Sequence, residues 1–170
     1  MAGSKAKEQM DLNIIIEDAC QEDIKEIQQL FFDTIHMICK KDYNQEQIEA
    51  WSSAKNDDEK WQEKILSQYF LVARAEGKIV GFGSLENNNY LDLLYVHKDH
   101  QKKDIAKKLL TVLEKKAEIN RADKITADVS KTARSFFEKN GYKVIKEQKR
   151  KIRNIFLPNY RMIKKLGYIP

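Results

Sequence analysis

A polar turn between a predicted strand and a predicted helix has the composition of an anion-binding site. The strand covers Tyr90 to Val96, the turn covers His97 to Lys103, and the helix begins at Asp104 or one residue later. The first turn of a helix has unpaired backbone N–H groups and the positive end of the helix dipole, which together attract anions. Lys102 and Lys103 add positive charge beside it. Asp104 opposes this charge, because its carboxylate stands where an anion would bind.

Several residues have the chemistry of metal ligands, but their number does not support a metal site. His36 and Cys39 lie three residues apart on a predicted helix, a spacing at which both can bind one metal ion. Because no two further ligands accompany them, we interpret both as packing residues near a helix end and predict no metal. His97 and His100 flank the polar turn and are expected to be exposed. The sequence contains no P-loop, serine-triad or zinc-binding motif.

The composition is that of one folded domain with a basic surface. The chain has 170 residues, of which 42% are hydrophobic and 34% charged, and this balance excludes a collagenous, low-complexity or fully disordered protein. The net charge of +5 and the pI near 9.0 favour contact with nucleic acid, a phosphorylated cofactor or an acidic substrate. A solvated lysine-rich surface also explains the same charge.

The sequence predicts neither a membrane span nor a secretory signal. No apolar run approaches the roughly 20 residues that cross a bilayer, and residues 1–11 lack the apolar segment of a signal peptide. We interpret residues 1–11 as a flexible leader or a cloning remnant, and residues 12–170 as one domain. Cys20 and Cys39 form no CxxC motif and fit a reducing compartment. We therefore expect a soluble cytoplasmic protein.

The periodicity of apolar residues in the first part of the chain predicts one strand and then three helices. The predicted segments are Asn13–Glu17, Asp18–Cys39, Gln45–Trp51 and Asp57–Leu66. The long helix is expected to begin near Gln21 to Asp23, where acidic residues suit a first turn. Trp51 and Trp61 lie on the two short helices, and each either anchors its helix to the core or lines a substrate pocket.

From Tyr69 onward the pattern changes to alternation, which predicts strands. The strands are expected at Tyr69–Ala75, Lys78–Glu86, Tyr90–Val96, Lys124–Val129, Tyr142–Glu147 and Asn159–Lys165. Short turns join the first three, so they form an antiparallel meander. The fourth follows a helical crossover and is therefore expected to lie parallel to the third. Gly81 and Gly83 share one face of their strand and indicate a bulge or a close approach by another element.

The C-terminal part contains a second short helix and a basic segment. The helix is predicted over Ala133–Asn140 and ends at Gly141, a good residue for the position after a helix. Between the last two strands we expect a basic run, Gln148–Arg153, and a loop over Ile155–Asn159.

Two segments in this order, LLYVHKDHQKKDIAKKLL and SKTARSFFEKNGYKV, resemble the GNAT N-acetyltransferase superfamily. The resemblance extends over Asn13 to Leu166. The family's pyrophosphate loop has the pattern Gln/Arg-x-x-Gly-x-Gly/Ala, which is matched here by Gln101 to Ala106, with Asp104 at the first glycine. It implies an α/β (α+β) fold, with one mixed, mostly antiparallel sheet of about six to seven strands flanked by about four helices.

The resemblance implies that acetyl-CoA is the cosubstrate and that no metal is needed. The pantetheine arm would lie where the strands Tyr90–Val96 and Lys124–Val129 separate, and the pyrophosphate would bind backbone amides of the loop. The residues implied to contact the cofactor are Leu94, Tyr95, Val96, Gln101, Lys102, Lys103, Asp104, Ile105, Ala106, Lys107, Ser130, Ala133, Phe136, Phe137 and Lys139.

The implied reaction is direct acetyl transfer to a primary amine of a small molecule or a protein. It needs a general base, for which Asp92 and Glu86 are the candidates, and an N–H donor near Leu94 for the developing oxyanion. The family often protonates the leaving thiolate with a tyrosine at the position of Phe137, which has no proton to give. Tyr142 and Tyr95 are possible substitutes.

Two further functions stay open. The first is a GNAT-fold module that binds CoA and serves in regulation or protein interaction, with little or no catalysis. Asp104 and Phe137, which depart from the family pattern, would fit this function. Nucleic-acid binding through the basic segment Lys143–Arg153 is disfavoured, because no reading motif accompanies the charge. The acceptor would lie among residues 31–61 and near the loop 155–159, and a homodimer is expected only by analogy.

Overall fold

A seven-stranded sheet in the order β1-β2-β3-β4-β5-β7-β6 forms the centre of the protein. The computed structural model describes residues 12–167, so the predicted leader over residues 1–11 lies outside the described residues. The strands are β1 Ile14–Asp18, β2 Tyr69–Ala75, β3 Lys78–Glu86, β4 Tyr90–Val96, β5 Lys124–Ser130, β6 Lys143–Ile152 and β7 Ile155–Lys165. All neighbours are antiparallel except β4 and β5. The predicted mixed, mostly antiparallel sheet is confirmed.

Five α-helices cover the two faces of the sheet in the described part of the chain. They are α1 Ile24–Ile38, α2 Gln45–Ser52, α3 Asp58–Ser67, α4 Ile105–Ile119 and α5 Arg134–Lys139. The helices α1 to α3 pack on one face through a core that includes Ile27, Ile35 and Trp61. The other face is covered by α4 and α5, with Leu109 and Phe137 in its core. None of the helices described is long and apolar enough to cross a membrane.

Side-chain caps explain where the two short helices on the first face begin. Oδ1 of Asn44 accepts a hydrogen bond from the backbone N–H of Gln47 at 2.9 Å, and Oε1 of Gln47 accepts one from the backbone N–H of Asn44 at 3.0 Å, which starts α2. The side chain of Asp57 accepts from the Lys60 amide at 3.2 Å and starts α3. Each cap satisfies a backbone donor that a helix start leaves unpaired.

The two glycines of β3 let α4 lie close to the sheet. A Cβ at Gly81 would lie 3.0 Å from Cγ2 of Ile105, and one at Gly83 would lie 3.0 Å from Cδ1 of Leu113. The predicted close approach is therefore confirmed, and its partner is α4. The predicted bulge is also present, because the pairing of β2 with β3 shifts register between Ala73 and Arg74.

The strands β4 and β5 pair over two residues and then separate. Tyr90 pairs with Thr126 and Leu91 with Ala127, and no further pairs follow. On its other edge, β4 shifts register against β3 between Ser84 and Leu85, which leaves Asp92 as an additional residue of β4. A bulge bends its strand and redirects the side chains. The opening between β4 and β5 therefore begins at Asp92.

The last two strands are longer than the sequence pattern predicts. The basic run 148–153 was expected between strands, but its residues up to Ile152 belong to β6, and the expected loop 155–159 is the first part of β7. A two-residue turn at Arg153 and Asn154 joins them, and both residues have positive φ, at 48° and 64°. This turn matches the twist of a hairpin, so pairing continues up to the turn.

Candidate active site

A cavity of about 510 Å³ lies in the opening between β4 and β5, beside the start of α4. Every residue that the sequence implied for cofactor binding, from Leu94 to Lys139, lines this cavity. These residues come from β4, the turn after it, the end of β5 and α5. The structure thus brings together residues up to 45 positions apart in the sequence, and their contact with a cofactor stays a prediction.

The turn that leads into α4 keeps a glycine-like backbone without glycine. Lys102 and Asp104 have φ values of 60° and 59°, in the left-handed region that favours glycine. Asp104 occupies the N-cap position of α4, but its side chain makes no capping hydrogen bond. The carboxylate therefore does not cap α4, because an N-cap side chain reaches the helix from extended backbone and not from left-handed backbone.

The amides of this turn are available to an anion. From Gln101 to Lys107, no backbone N–H group donates to another described residue, and the first helical bond runs from the Lys108 amide to the Asp104 carbonyl at 2.9 Å. The side chains of Lys102 and Lys103 are exposed beside them. This set of unpaired amides at a helix start suits a diphosphate group.

The side chain of Gln101 holds the turn against β4. Its Nε2 atom donates to the carbonyl of Val96 at 2.7 Å and to that of His97 at 3.2 Å. The hydroxyl of Thr34 on α1 donates to the same Val96 carbonyl at 2.9 Å. The Val96 carbonyl is thus already occupied, so an amide-bearing ligand in the opening has to pair with other groups of β4.

A second cavity of about 570 Å³ lies on the face of the sheet that carries α1 to α3. The aromatic side chains that line it are Phe31, Tyr43, Trp51, Trp61 and Tyr95. Trp61 also anchors α3, because its Nε1 donates to the Ala54 carbonyl at 2.9 Å and its ring meets Phe31 edge-on. The residues that line both cavities are Trp51, Asp92, Leu93, Tyr95, Asp128 and Ser130. The two cavities therefore meet where β4 leaves β5.

Asp92 lies at this junction and Glu86 does not. Oδ2 of Asp92 lies 2.5 Å from Nζ of Lys64 and accepts from Nε2 of Gln68 at 2.9 Å, and its side chain is 17% exposed. Glu86 lines neither cavity. The prediction of Glu86 as a candidate base is therefore wrong, since it pairs with Tyr90 at the start of β4, where β4 and β5 are still together.

Asp128 is the acidic residue at the junction that sequence reasoning missed. Its carboxylate accepts from Nε of Arg161 at 2.5 Å, from the hydroxyl of Tyr90 at 2.9 Å and from Nε2 of Gln148 at 2.5 Å. Burial raises the pKa of Asp128, but these hydrogen bonds outweigh burial and hold the pKa below its usual value. An aspartate inside a predicted buried strand was the available signal, because strands are depleted in aspartate.

The candidates for protonating the leaving group differ in their access to the cavities. Phe137 lines the first cavity and packs edge-on against Tyr142, with ring centroids 5.0 Å apart. Tyr142 lines neither cavity, and its hydroxyl donates to Oε1 of Glu114 at 3.1 Å. The expectation that Tyr142 could protonate the leaving thiolate in place of the family's tyrosine is therefore wrong. Tyr95 lines both cavities, and burial raises its pKa, which keeps the hydroxyl protonated.

The histidines and the buried cysteine have ordinary partners. Nε2 of His36 lies 2.9 Å from the hydroxyl of Ser52. Cys39 is buried, which raises the pKa of its thiol to about 11. His97 and His100 were expected to be exposed, but both are half-buried, because their rings pack edge-on against each other. Within residues 12–167, no group of three or more His, Cys, Asp or Glu side chains is arranged to hold a metal ion.

Comparison with known proteins points to one family. Residues 39–164 match the family model described as "Acetyltransferase (GNAT) domain". The chain is 30% identical over 150 residues to the uncharacterized N-acetyltransferase YafP of Escherichia coli K12, covering 88% of this chain and 95% of that protein.

Two solved structures have the same fold and a sequence identity of 25% or more to this chain. A GCN5-related N-acetyltransferase from Rhodopseudomonas palustris has a TM-score of 0.88 at 34% identity, over 89% of this chain and 95% of that one. The PaiA N-acetyltransferase of Thermoplasma acidophilum, solved with coenzyme A, has a TM-score of 0.76 at 25% identity, over 91% of this chain and 100% of that one.

Proposed function

Because the chain belongs to the GNAT acetyltransferase family, we propose that it moves the acetyl group of acetyl-CoA directly to a primary amine of a small molecule or a protein. The observation that carries this proposal is the meeting of two cavities at the point where β4 leaves β5. Direct transfer needs the thioester and the amine to approach from different sides of one opening. The free thiols of Cys20 and Cys39 agree with a cytoplasmic location, which is part of the proposal.

The first cavity suits the cofactor. Acetyl-CoA, when bound, supplies an acyl group on a thiol leaving group. The unpaired amides of residues 101–107 would hold its diphosphate, with Lys102, Lys103 and Lys107 offsetting its charge. The edge of β4 beyond Leu91 has no partner on β5, and it would offer backbone groups to the amide-bearing arm. Coenzyme A in the PaiA relative supports this assignment.

Asp92 is the proposed general base. An amine enters as an ammonium ion at neutral pH and must lose a proton before it can attack the thioester. Both partners of Asp92, Lys64 and Gln68, bind its Oδ2 atom, which leaves Oδ1 without a described donor and able to accept that proton directly or through water. A backbone N–H of β4 near Leu94 would stabilise the oxyanion that develops on the thioester.

Protonation of the leaving thiolate would fall to water or to Tyr95. Phe137 has no proton to donate, and Tyr142 is turned toward Glu114. Tyr95 lines both cavities, and its hydroxyl stays protonated at neutral pH because burial raises its pKa. Loss of acid–base assistance costs about 10²–10⁴-fold in rate, so we expect slow but measurable turnover if water alone acts.

The test measures release of free CoA thiol from acetyl-CoA with a panel of primary amines, and mass spectrometry identifies the acetylated product. We expect thiol release that depends on both the amine and acetyl-CoA, and that falls about 10²-fold or more in Asp92→Asn. Acetyl-CoA that neither raises the melting temperature nor is consumed with any amine would contradict the proposal.

A second function, a CoA-binding module without catalysis, is favoured by one observation. The chain carries Asp104 and Phe137 at positions where the family resemblance implies glycine and tyrosine. Calorimetric binding of CoA together with no thiol release across the whole amine panel would favour this module over the enzyme.

A further inference from the structure

We call the solvent-exposed part of the second cavity its mouth, and the charged side chains there include several that form no ion pair with another described residue. Side chains of both signs line it: Asp57, Lys60, Lys64, Asp92, Asp128, Arg150 and Arg153. Each of the carboxylates has a partner. Asp92 pairs with Lys64, Asp128 pairs with Arg161, and Asp57 caps the start of α3.

The cations that remain are Lys60, Arg150 and Arg153. Within residues 12–167, none of the three makes an ion pair, and all three side chains are exposed. They come from two distant parts of the chain, α3 and the β6–β7 hairpin, and they converge on one cavity. Among the acidic lining residues that the structure describes, only Asp57 has no cation partner, so these three cations leave a net positive charge at the mouth, from which an anionic ligand group would gain.

The deeper part of the cavity suits an apolar body and an amine. Phe31 and Trp61 are buried there, and Trp51 and Tyr43 complete an aromatic wall, with ring centroids 5.4 Å apart. The Oδ1 atom of Asn159 is buried in the lining without a donor. A buried acceptor without a partner is costly, and the N–H of a bound amine or of its amide product would satisfy it.

We propose that the acceptor is a primary amine that also carries an anionic group, a carboxylate or a phosphate, on an apolar or aromatic body. Its amine points inward to Asp92 at the junction of the two cavities, and its anionic group lies at the mouth among Lys60, Arg150 and Arg153. This inference rests on the proposed acetyl transfer and names the substrate class of the same site.

The positions of the other cations on β6 show that the mouth is not simply part of a basic surface. Successive side chains on a strand point to opposite faces of the sheet. Arg150 borders the cavity, whereas its neighbours Lys149 and Lys151 line neither cavity, although all three are exposed. Lys149 and Lys151 therefore provide a charge-matched control on the same strand.

The first arm of the test compares amines that differ only in the anionic group. The pairs are phenylalanine with phenethylamine, tryptophan with tryptamine, glutamate with γ-aminobutyrate, and phosphoethanolamine with ethanolamine. We expect the more anionic member of the best pair to have a kcat/KM at least about tenfold higher, since three cations each contribute up to about fivefold. The carboxylate and phosphate pairs distinguish the two sources of the charge. Equal or better turnover of the less anionic member in every pair overturns the inference and leaves the acetyltransferase standing.

The second arm assigns the effect to the mouth. The double variant Arg150→Gln/Arg153→Gln should raise KM for the anionic amine about five- to twentyfold with little change in kcat, and should leave KM for its less anionic partner unchanged. The control Lys149→Gln/Lys151→Gln removes the same charge and should leave both KM values within about twofold. Equal effects of the two double variants would contradict a site at the mouth.

The third arm does not need turnover. Calorimetry with CoA-saturated protein measures the binding of N-acetylphenylalanine and of N-acetylphenethylamine, the products of one pair. Tighter binding of the anionic product, lost in Arg150→Gln/Arg153→Gln but kept in the control, supports the site even if no amine is acetylated, and in that case only the proposed function fails. No preference for the anionic product in this assay, together with none in the first arm, overturns the inference.

Discussion

The ammonium group of Lys64 on α3 lies 2.5 Å from Oδ2 of Asp92, the residue at which β4 bulges away from β3 and separates from β5. The pair joins a helix of the second cavity to the strand that forms the wall of the first. Lys64 and Asp92 are 24% and 17% exposed, so water screens their attraction only in part. This contact orients the carboxylate that we propose as the general base.

Replacement of Asp92 by Asn should lower kcat by about 10²-fold or more, because the amide cannot accept the proton of the substrate ammonium. Lys64→Met is the companion variant: it keeps the carboxylate but removes its orienting partner, and it should lower kcat about tenfold or less. Steady-state thiol release measures both. A kcat that is unchanged in Asp92→Asn, with the melting temperature also unchanged, would show that another group removes the proton.

Replacement of Asp104 by Gly should tighten CoA binding about three- to tenfold. Glycine at this left-handed position, φ 59°, lets the backbone approach the diphosphate without a side chain in the way, and the loss of the carboxylate removes repulsion that the exposed position screens in part. Asp104→Ala is the control, because it removes the charge but keeps a Cβ in left-handed backbone. Calorimetry should rank the affinities Gly above Ala above Asp. An Ala variant equal to the parent would show that the carboxylate points away from the ligand.

Replacement of Phe137 by Tyr should raise kcat about tenfold or more, because it introduces a proton donor for the thiolate into the lining of the first cavity. Phe136→Tyr adds the same hydroxyl to the neighbouring residue, which also lines that cavity, and should give no such gain. Pre-steady-state thiol release separates chemistry from product release. No gain at position 137 in a folded variant would contradict its assignment to the leaving group.

Replacement of Asp23 by Asn should lower the free energy of unfolding by about 2 kcal/mol, because it removes the buried partner of Arg74 and leaves only the half-exposed Glu17. Oδ1 of Asp23 lies 2.6 Å from Nη2 of Arg74, and the carboxylate is 8% exposed. Asp58→Asn is the control: its pair with Lys25 is 48% and 76% exposed and should contribute less than about 1 kcal/mol. Urea unfolding measures both, and equal losses would contradict the role of burial.

The carboxylate of Asp23 also makes the free energy of unfolding depend on pH. Burial raises the pKa of Asp23, but hydrogen bonds from the Cys20 amide and Arg74 outweigh it and lower the pKa below the usual value of 3.8. A lowered folded-state pKa contributes stability above about pH 4, and this contribution is lost as the pH falls through the folded-state value. The parent should therefore lose more stability than Asp23→Asn between pH 5 and about pH 3.

CoA binding should take up a fraction of a proton below pH 6.5, because a diphosphate at the turn favours protonated His100, whose pKa is lowered from 6.5. Burial first, and then the charges of Lys103 and His97, lower the pKa of His100, against the opposing charge of Asp99. Calorimetry in two buffers of different ionisation enthalpy measures the uptake. It should disappear in His100→Asn and persist in His97→Asn, and uptake that persists in His100→Asn would assign it elsewhere.

The local elements of this protein could be predicted from the sequence, with errors where pairing decides the outcome. The strand, turn and helix order from Tyr90 to Ile119 follows from apolar periodicity, and the structure keeps it. The basic run from Gln148 was expected outside the sheet, because its charged residues do not alternate with apolar residues as in a half-buried strand. Its pairing with β7 makes it a strand, and the sequence contains that information only in the two turn residues Arg153 and Asn154.

The sequence by itself determined the family resemblance, fifteen of the residues that line the first cavity, and the presence of aspartate at position 104, where the family pattern has glycine. These features depend on segments contiguous in the chain, whose spacing is fixed by covalent geometry. Only the tertiary structure decided that Asp92 meets Lys64, that Glu86 lies away from the junction, and that Asp128 is held by Arg161. Those contacts join residues about 30 positions apart, and strand register and bulges decide which side chains face one another.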